Sequence, residues 1–121
     1  MKLHASGEDY LEAILILQNK QGMVRSVDIA WHMNVSKPSV CHAVRILREG
    51  GFLTMDEEHY LHLTDIGREV AEIIYERHCF FTEQLIAAGV DPKIAEADAC
   101  RIEHVISSES FERLKEAAVQ E

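Results

Sequence analysis

The sequence predicts a mainly α-helical protein, and three features of the chain carry that prediction. Apolar residues recur at helical spacing along most of its length, as at Val40, Val44 and Leu47. Residues that begin and end helices separate these apolar segments. Two short β-prone runs, 52–55 and 60–63, flank four polar residues, which is typical of a hairpin. With 121 residues and a 47% hydrophobic composition, the chain is expected to form one compact unit, or two very small subdomains that share a core.

The first predicted helix begins at a cap on Ser6 and continues to about Lys20. It has one wide apolar face, which is expected to be buried. That face is formed by Tyr10, Leu11, Ile14, Leu15 and Leu17. Asp9 and Glu12 lie three residues apart on the same helix and are therefore neighbours on its surface.

A pair of short helices follows, with a tight turn between them. The first covers 26–33 and is expected to be capped by its serine. The second is capped by Ser36, carries Pro38 in its first turn, where proline is tolerated, and ends at Gly50-Gly51. Such a pair resembles a helix-turn-helix, and a strand pair directly after it resembles a wing. We therefore predict an N-terminal winged helix-turn-helix domain over residues 1–63.

The rest of the chain, 64–121, predicts a second, helical domain. A long helix capped by Thr64 is expected to reach about Ala88. Its inward residues are expected to be Ile66, Val70, Ile73, Ile74 and Phe81. A further helix is capped by Asp91 and is expected to reach about Ile106, and a last short helix follows it.

The charge of the chain is unevenly distributed. The formal net charge is −9, which by itself argues against nucleic-acid binding. Residues 1–50, however, hold six Lys/Arg against five Asp/Glu, whereas residues 51–121 hold six against sixteen. The N-terminal half can therefore approach phosphates, and the acidic half suits a divalent cation.

The segment Cys100–His104 places a thiol, a carboxylate and an imidazole on one strip of its predicted helix, because residues spaced i, i+3 and i+4 are surface neighbours. All three groups ligate transition metals once deprotonated. His78 on the long helix, and Asp9 with Glu12 on the first helix, are candidate partners. An ordinary core thiol beside a surface Glu–His pair is the alternative, and spacing alone does not decide between the two.

The second helix of the helix-turn-helix is expected to enter the major groove with its N-terminal end first. Ser36 and Ser39 can donate hydrogen bonds to phosphates or bases, and Lys37 can bind phosphate. Pro38 can contact a thymine methyl group, and His42, one turn along, can reach a base edge. These five residues are the predicted DNA contacts. The alternative is an ordinary helix pair of an all-α domain.

The chain resembles the diphtheria toxin repressor family of metal-dependent transcriptional repressors, including its manganese-sensing branch. The resemblance covers nearly the whole chain. It is carried by residues 8–14 (EDYLEAI), 27–30 (VDIA), 36–40 (SKPSV), 63–67 (LTDIG), 75–78 (YERH) and 98–107 (DACRIEHVIS). The resemblance implies an N-terminal winged helix that binds operator DNA and a C-terminal domain that dimerises and binds metal. It further implies that a metal-loaded homodimer represses genes of metal uptake or homeostasis.

The resemblance also assigns metal-binding roles, residue by residue. They fall on Asp9, Glu12, His78, Cys100, Glu103 and His104. This chain mixes two branches, because iron-type members resemble it at Cys100 and manganese-type members resemble it at Asp9 and Glu12. A thiolate favours Fe(II), Co(II), Ni(II) or Zn(II), while carboxylates suit Mn(II). The expected cofactor is therefore Fe(II) or Mn(II), with Co(II), Ni(II) or Zn(II) able to bind in vitro.

Two other function classes are weaker. A metal-independent winged-helix regulator would leave Cys100 as a redox sensor or a core residue. An enzyme is not expected, because the chain lacks paired Glu-x-x-His motifs, a nucleophile–base pairing and a phosphate-binding glycine loop, so no catalytic residue is assigned. No long apolar run and no signal-peptide pattern is present, so the expected location is the cytoplasm, with no membrane partner.

Overall fold

The structure is a computed structural model that describes residues 3–119 of the chain. In this range it contains six helices and one two-stranded sheet. The elements are α1 (Ala5–Gln21), α2 (Ser26–Met33), α3 (Lys37–Glu49), β1 (Leu53–Met55), β2 (Leu61–Leu63), α4 (Asp65–Ala87), α5 (Pro92–Ile102) and α6 (Ser108–Val119). Their order confirms the predicted mainly α fold, with a winged helix-turn-helix followed by helices.

The chain divides into two compact units, Met1–Ile73 and Ile74–Glu121, with the boundary inside α4. This division does not test the predicted domain ranges 1–63 and 64–121, which remain predictions. No helix in the described part of the chain is long and apolar enough to cross a membrane.

The core of the first unit is built on α1 and α3. The predicted apolar face of α1 is confirmed, since all five of its residues are buried. The apolar residues of α3, Val40, Val44 and Leu47, are buried as well. Strand β1 pairs antiparallel with β2, with Leu53 opposite Leu63 and Met55 opposite Leu61. This packing leaves the polar face of α3 in solvent.

Two of the four predicted serine and threonine caps are confirmed. The Ser36 hydroxyl accepts a hydrogen bond from the backbone N–H of Ser39 (3.2 Å), and Thr64 Oγ1 accepts one from Gly67 N–H (3.1 Å). These bonds satisfy donors that the first turn of a helix leaves unpaired.

The caps predicted at Ser6 and Ser26 are wrong. Helix α1 begins after His4, whose carbonyl accepts from Glu8 N–H (3.1 Å), so Ser6 lies inside the first turn. Helix α2 begins after Arg25, whose backbone N–H donates to the Asp28 carboxylate (2.8 Å). In α2 the acidic residue of the first turn therefore replaces the hydroxyl as the capping group.

The tip of the hairpin is ordered by Asp56. Its carboxylate accepts hydrogen bonds from the backbone N–H groups of Glu58 (2.9 Å) and Tyr60 (3.0 Å), and its other oxygen lies 2.9 Å from His62 Nε2. The hydrogen bond from His62, aided by those from the backbone, lowers the pKa of Asp56 below its usual value. His59 closes the turn with a left-handed φ of 69°.

Helix α4 contacts the hairpin at Gly67. A Cβ atom there would lie 2.0 Å from the carbonyl oxygen of Phe52, which no side chain can do without moving the backbone. The face of α4 that carries Gly67 is thereby fixed as the inward one.

The predicted inward residues of α4 are partly wrong. Ile74 and Phe81 are buried, but Ile66 is 58% exposed and Ile73 is 43% exposed. The buried face instead passes through Ala71, at i+4 from Gly67. Apolar character along α4 did not reveal which stripe is buried, because the exposed Ile66 and Ile73 are as apolar as the buried Ile74.

The first unit also exposes a large aromatic side chain. Trp31 on α2 is 84% exposed, and it is the only tryptophan in the sequence.

Candidate metal centre and nucleic-acid interface

In the second unit, helix α4 places His78 on its inward face. Ile74 and Phe81, which flank His78 at i−4 and i+3, are buried, so the imidazole between them is drawn inward and its side chain is only 17% exposed. Packing of Phe81 with Phe80 and Phe111, at ring-centroid distances of 5.3 and 5.9 Å, anchors this part of α4.

The predicted helix through the Cys–Glu–His segment is shorter than expected. Helix α5 ends at Ile102 and not near Ile106. Beyond it the backbone continues in a tighter turn, in which His104 N–H approaches the Arg101 carbonyl (3.5 Å) and Val105 N–H donates to Ile102 (3.1 Å). Glu103 and His104 therefore lie on this turn, and the prediction that they share a helix with Cys100 is wrong.

Arg77 holds this turn in place. Its Nη1 donates to the carbonyls of Glu103 (3.2 Å) and Ile106 (3.0 Å), and its Nη2 donates to the Ser108 hydroxyl (3.2 Å). The residue is only 8% exposed, so these bonds are shielded from water. Sequence analysis gave Arg77 no role, because a guanidinium that caps carbonyls of a distant turn leaves no local pattern.

Three potential ligand atoms converge on one point in this unit. His78 Nδ1 lies 3.0 Å from Glu103 Oε2 and 3.7 Å from Cys100 Sγ. One atom from each of the three residues lies within 4.8 Å of the other two. Cys100 is exposed, which leaves an open side. Within this unit, three of the predicted ligands thus meet at one point.

The donor set fits a divalent transition metal. The side chain of Glu103 has no exposed surface, and buried carboxylates require a compensating cation or hydrogen bonds. Its Oε1 forms no hydrogen bond with any described residue, although it lies 3.4 Å from His104 Nε2. Nitrogen, sulfur and oxygen donors together suit Fe(II), Co(II), Zn(II) and related ions.

His104 faces the opposite side of the same carboxylate from His78. Glu103 directs Oε2 towards His78 and Oε1 towards His104, so the carboxylate lies between two imidazoles. The remaining predicted ligands are on α1 in the first unit, where Asp9 is half-buried and Glu12 is 8% exposed.

The predicted DNA contacts lie together on the first half of α3. Ser36, Lys37, Pro38, Ser39 and His42 are all exposed. The hydroxyls of Ser36 and Ser39 lie 2.8 Å apart, so one donates to the other. The opposite face of α3 is buried in the core, which leaves this polar face available to a duplex.

Basic residues outside the predicted set border this surface. A cavity of about 460 Å³ is lined by Arg25, Lys37, Cys41 and His59, among others. The Arg25 guanidinium lies 4.3 Å from the centre of the Tyr60 ring, a cation–π contact that links α2 to the hairpin. Arg25 places positive charge beside the acidic hairpin tip. The sequence did not reveal this, because Arg25 is 35 residues away from Tyr60 along the chain.

Family models match both parts of the chain. Residues 2–63 match the iron dependent repressor N-terminal DNA binding domain, and residues 64–118 match the iron dependent repressor metal binding and dimerisation domain. The chain belongs to the iron dependent repressor family. This confirms the predicted resemblance to metal-dependent transcriptional repressors. The family consists of DNA-binding regulators.

Curated relatives agree with this membership. The transcriptional regulator MntR of Salmonella typhimurium is 35% identical over 87% of this chain and 67% of its own length. MntR of Escherichia coli O157:H7 is 33% identical over 89% of this chain and 70% of its own length. An uncharacterized HTH-type transcriptional regulator of Methanocaldococcus jannaschii is 32% identical over 89% of this chain and 88% of its own length.

Solved structures share the fold over most of the chain. The manganese regulator SloR superposes with a TM-score of 0.84 at 26% identity, over 93% of this chain and 53% of that one. A manganese-dependent transcriptional repressor in complex with manganese gives a TM-score of 0.80 at 26% identity, over 92% and 51%. The chain therefore spans about half the length of these two structures.

Proposed function

We propose that the protein is a transcriptional repressor that binds operator DNA as a homodimer when loaded with a divalent metal, and that it controls genes of metal uptake or homeostasis in the cytoplasm. The observation that carries the proposal is the convergence of His78 Nδ1, Cys100 Sγ and Glu103 Oε2, within the region that matches a metal binding and dimerisation domain. DNA binding is supported by the exposed N-terminal half of α3, which lies within the matched DNA binding domain.

The proposed ligands are the six predicted ones. They are Asp9, Glu12, His78, Cys100, Glu103 and His104. The inclusion of Asp9 and Glu12 rests on the sequence resemblance alone. The position of the Glu103 carboxylate supports the inclusion of His78 and His104, because one carboxylate oxygen lies near each imidazole.

The residues of the site act through charge. Glu103 is a buried acid whose Oε2 lies 3.0 Å from His78 Nδ1. A buried carboxylate needs a hydrogen bond or a cation to compensate its charge, and a bound divalent cation would supply such compensation. Metal affinity is therefore expected to fall at acid pH, because His78, Cys100 and Glu103 must all be deprotonated to act as ligands.

In the proposed mechanism the ligands link metal binding to DNA binding. Without metal, the carboxylates of Asp9, Glu12 and Glu103 would repel one another. Bound divalent cations would offset this charge and restrain α1, and the two recognition helices of the dimer would then be held about 34–36 Å apart, one turn of DNA. Coupling of about 1–3 kcal/mol between metal and DNA is typical of allosteric proteins.

The proposed metal is Fe(II) or Mn(II). The thiol of Cys100 favours Fe(II), and the carboxylates of the proposed site suit Mn(II). The solved relatives include a repressor bound to manganese and the repressor ScaR bound to Zn²⁺, so similar proteins bind more than one divalent metal.

Substitution of the ligands tests the proposal. His78→Ala and Glu103→Gln are expected to lose metal-dependent DNA binding while keeping the wild-type circular dichroism spectrum. The matched control is Cys79→Ser, which changes the residue next to His78 but none of the three converging ligands. Binding is measured by calorimetry with Mn(II) and Fe(II) without oxygen, and by gel retardation with duplexes that the wild type selects from a randomised library. If His78→Ala still binds these duplexes only when metal is added, the ligand assignment fails.

A further inference from the structure

The exposed face of α3 contains a hydrogen bond between two of its own side chains. Arg45 Nη2 lies 3.1 Å from His42 Nδ1, one helical turn earlier. The same guanidinium places Nη1 3.7 Å from Glu49 Oε1, one turn later. Arg45 is thus held between an imidazole and a carboxylate on the face that carries the proposed DNA contacts.

This contact determines which nitrogen of His42 carries the proton. A guanidinium only donates hydrogen bonds, so Nδ1 must offer its lone pair. A neutral imidazole has one N–H, which then resides on Nε2. The ring therefore directs a hydrogen-bond donor, and not an acceptor, away from Arg45.

A single donor restricts the bases that it can contact in the major groove. Guanine presents two adjacent acceptors, N7 and O6, adenine and thymine present one acceptor each, and cytosine presents only the N4 amino donor. A donor at this position therefore favours guanine and disfavours cytosine. A ring with its proton on Nδ1 would instead present an acceptor at Nε2 and would favour cytosine, whose N4 amino group is a donor. The tautomer thus sets the sequence preference at the position that His42 contacts.

We propose that Arg45 is a positioning residue that fixes His42 as an Nε2–H donor, and that His42 thereby selects guanine at one position in each half of the operator. This inference rests on the proposed DNA-binding function. Arg45 acts here through the ring of His42 and does not itself contact the base.

The tautomer is measurable without DNA. Imidazole ¹⁵N chemical shifts of the full-length protein are expected to show His42 protonated at Nε2, and Arg45→Ala is expected to produce a mixture of tautomers. The matched control is Arg48→Ala, which removes the same charge from the same helix, because Arg48 forms no hydrogen bond with His42 in the described structure. A wild-type ring protonated at Nδ1, or an equal effect of Arg48→Ala, would overturn the inference.

Selection from a randomised duplex library, with Mn(II) present, tests the consequence. The wild type is expected to enrich guanine at a symmetric pair of positions, His42→Ala to lose that preference, and Arg45→Ala to weaken it about 3- to 10-fold, with the other positions unchanged. A preference that is unaltered in Arg45→Ala contradicts the inference even if DNA binding is intact. A wild type that enriches no sequence overturns the proposed function instead, and the ¹⁵N shifts then still decide the tautomer.

Discussion

The thiol of Cys100 lies 3.7 Å from His78 Nδ1 and on the exposed side of the ligand group. Among the three converging donors it is the only soft one, and soft donors discriminate between metals more strongly than oxygen donors do. The chain's other two thiols, Cys41 and Cys79, do not belong to any group of potential metal ligands among the described residues. Metal selectivity can therefore be tested at one residue.

Cys100→Ser is expected to lower the affinity for Co(II) and Zn(II) by at least tenfold, and the affinity for Mn(II) much less, because a hydroxyl replaces a thiolate. Absorption spectroscopy with Co(II) checks this directly, since only a thiolate ligand gives the sulfur-to-cobalt charge-transfer band. Cys79→Ser is the control and should keep the band. A Cys100→Ser protein that retains the full band would remove Cys100 from the ligand set.

At the scale of elements, the turn between α5 and α6 carries two proposed ligands and is held by a side chain of α4. Arg77 supplies donors to the carbonyls of Glu103 and Ile106, which lie in the turn beyond α5. The rigidity of Glu103 and His104 therefore depends on a residue that is not itself a ligand, as in other metal sites where supporting hydrogen bonds orient the ligands.

Arg77→Met is expected to destabilise the protein by about 2–4 kcal/mol, because two shielded carbonyls lose their donors, and to weaken metal binding as the turn loosens. Urea unfolding and metal calorimetry measure the two effects. Arg77→Lys should recover only part of the stability and part of the metal affinity, because an ammonium group cannot make the same set of planar hydrogen bonds as a guanidinium. Arg113→Met, at a guanidinium whose side chain is 74% exposed, is the control and should change the free energy of unfolding by less than about 0.5 kcal/mol.

Elements whose sequence patterns are local were predicted well. The buried stripe of α3 and its Ser36 cap follow from residues within one helix, and both are confirmed. The end of α5 was missed because the chain keeps a helical sense beyond Ile102, while Arg77, 26 residues earlier than Glu103, takes the carbonyl bonds. The inward face of α4 was predicted only in part for a similar reason, since it depends on the approach of Gly67 to Phe52.

The candidate site, too, was predictable from the sequence only where local patterns determine it. Residue types and spacing marked Cys100, Glu103 and His104 as donors, but the turn that directs the two oxygens of Glu103 to different imidazoles depends on distant contacts. The resemblance to a known family supplied the assignment of His78. The sequence did not reveal the role of Arg45, because its hydrogen bond to His42 depends on side-chain conformation and not on spacing alone.

On the scale of the whole molecule, charge is divided between the two halves of the chain. Residues 1–50 carry a small positive excess, and residues 51–121 carry sixteen acidic against six basic residues. Binding to DNA must therefore come from a few well-placed cations, with the remainder of the protein opposing it.

Lys37→Gln is expected to weaken binding to all duplex sequences about equally and to reduce the slope of log affinity against log salt by about 1, because one phosphate contact is lost. Lys20→Gln removes the same charge from the last turn of α1, outside the proposed interface, and is the control. Fluorescence anisotropy with a labelled duplex between 50 and 300 mM salt, about the range over which such contacts are screened, measures both slopes. Equal slopes for the two variants would place the DNA interface elsewhere.

The solvent-facing indole on α2 gives the protein a built-in optical reporter. Because Trp31 is the only tryptophan and is 84% exposed, light absorbed at the red edge excites one known position in the first unit. A blue shift or quenching of its emission upon addition of a cation would therefore report a change in the surroundings of α2. The measurement needs no attached dye, and no second tryptophan contributes to the signal.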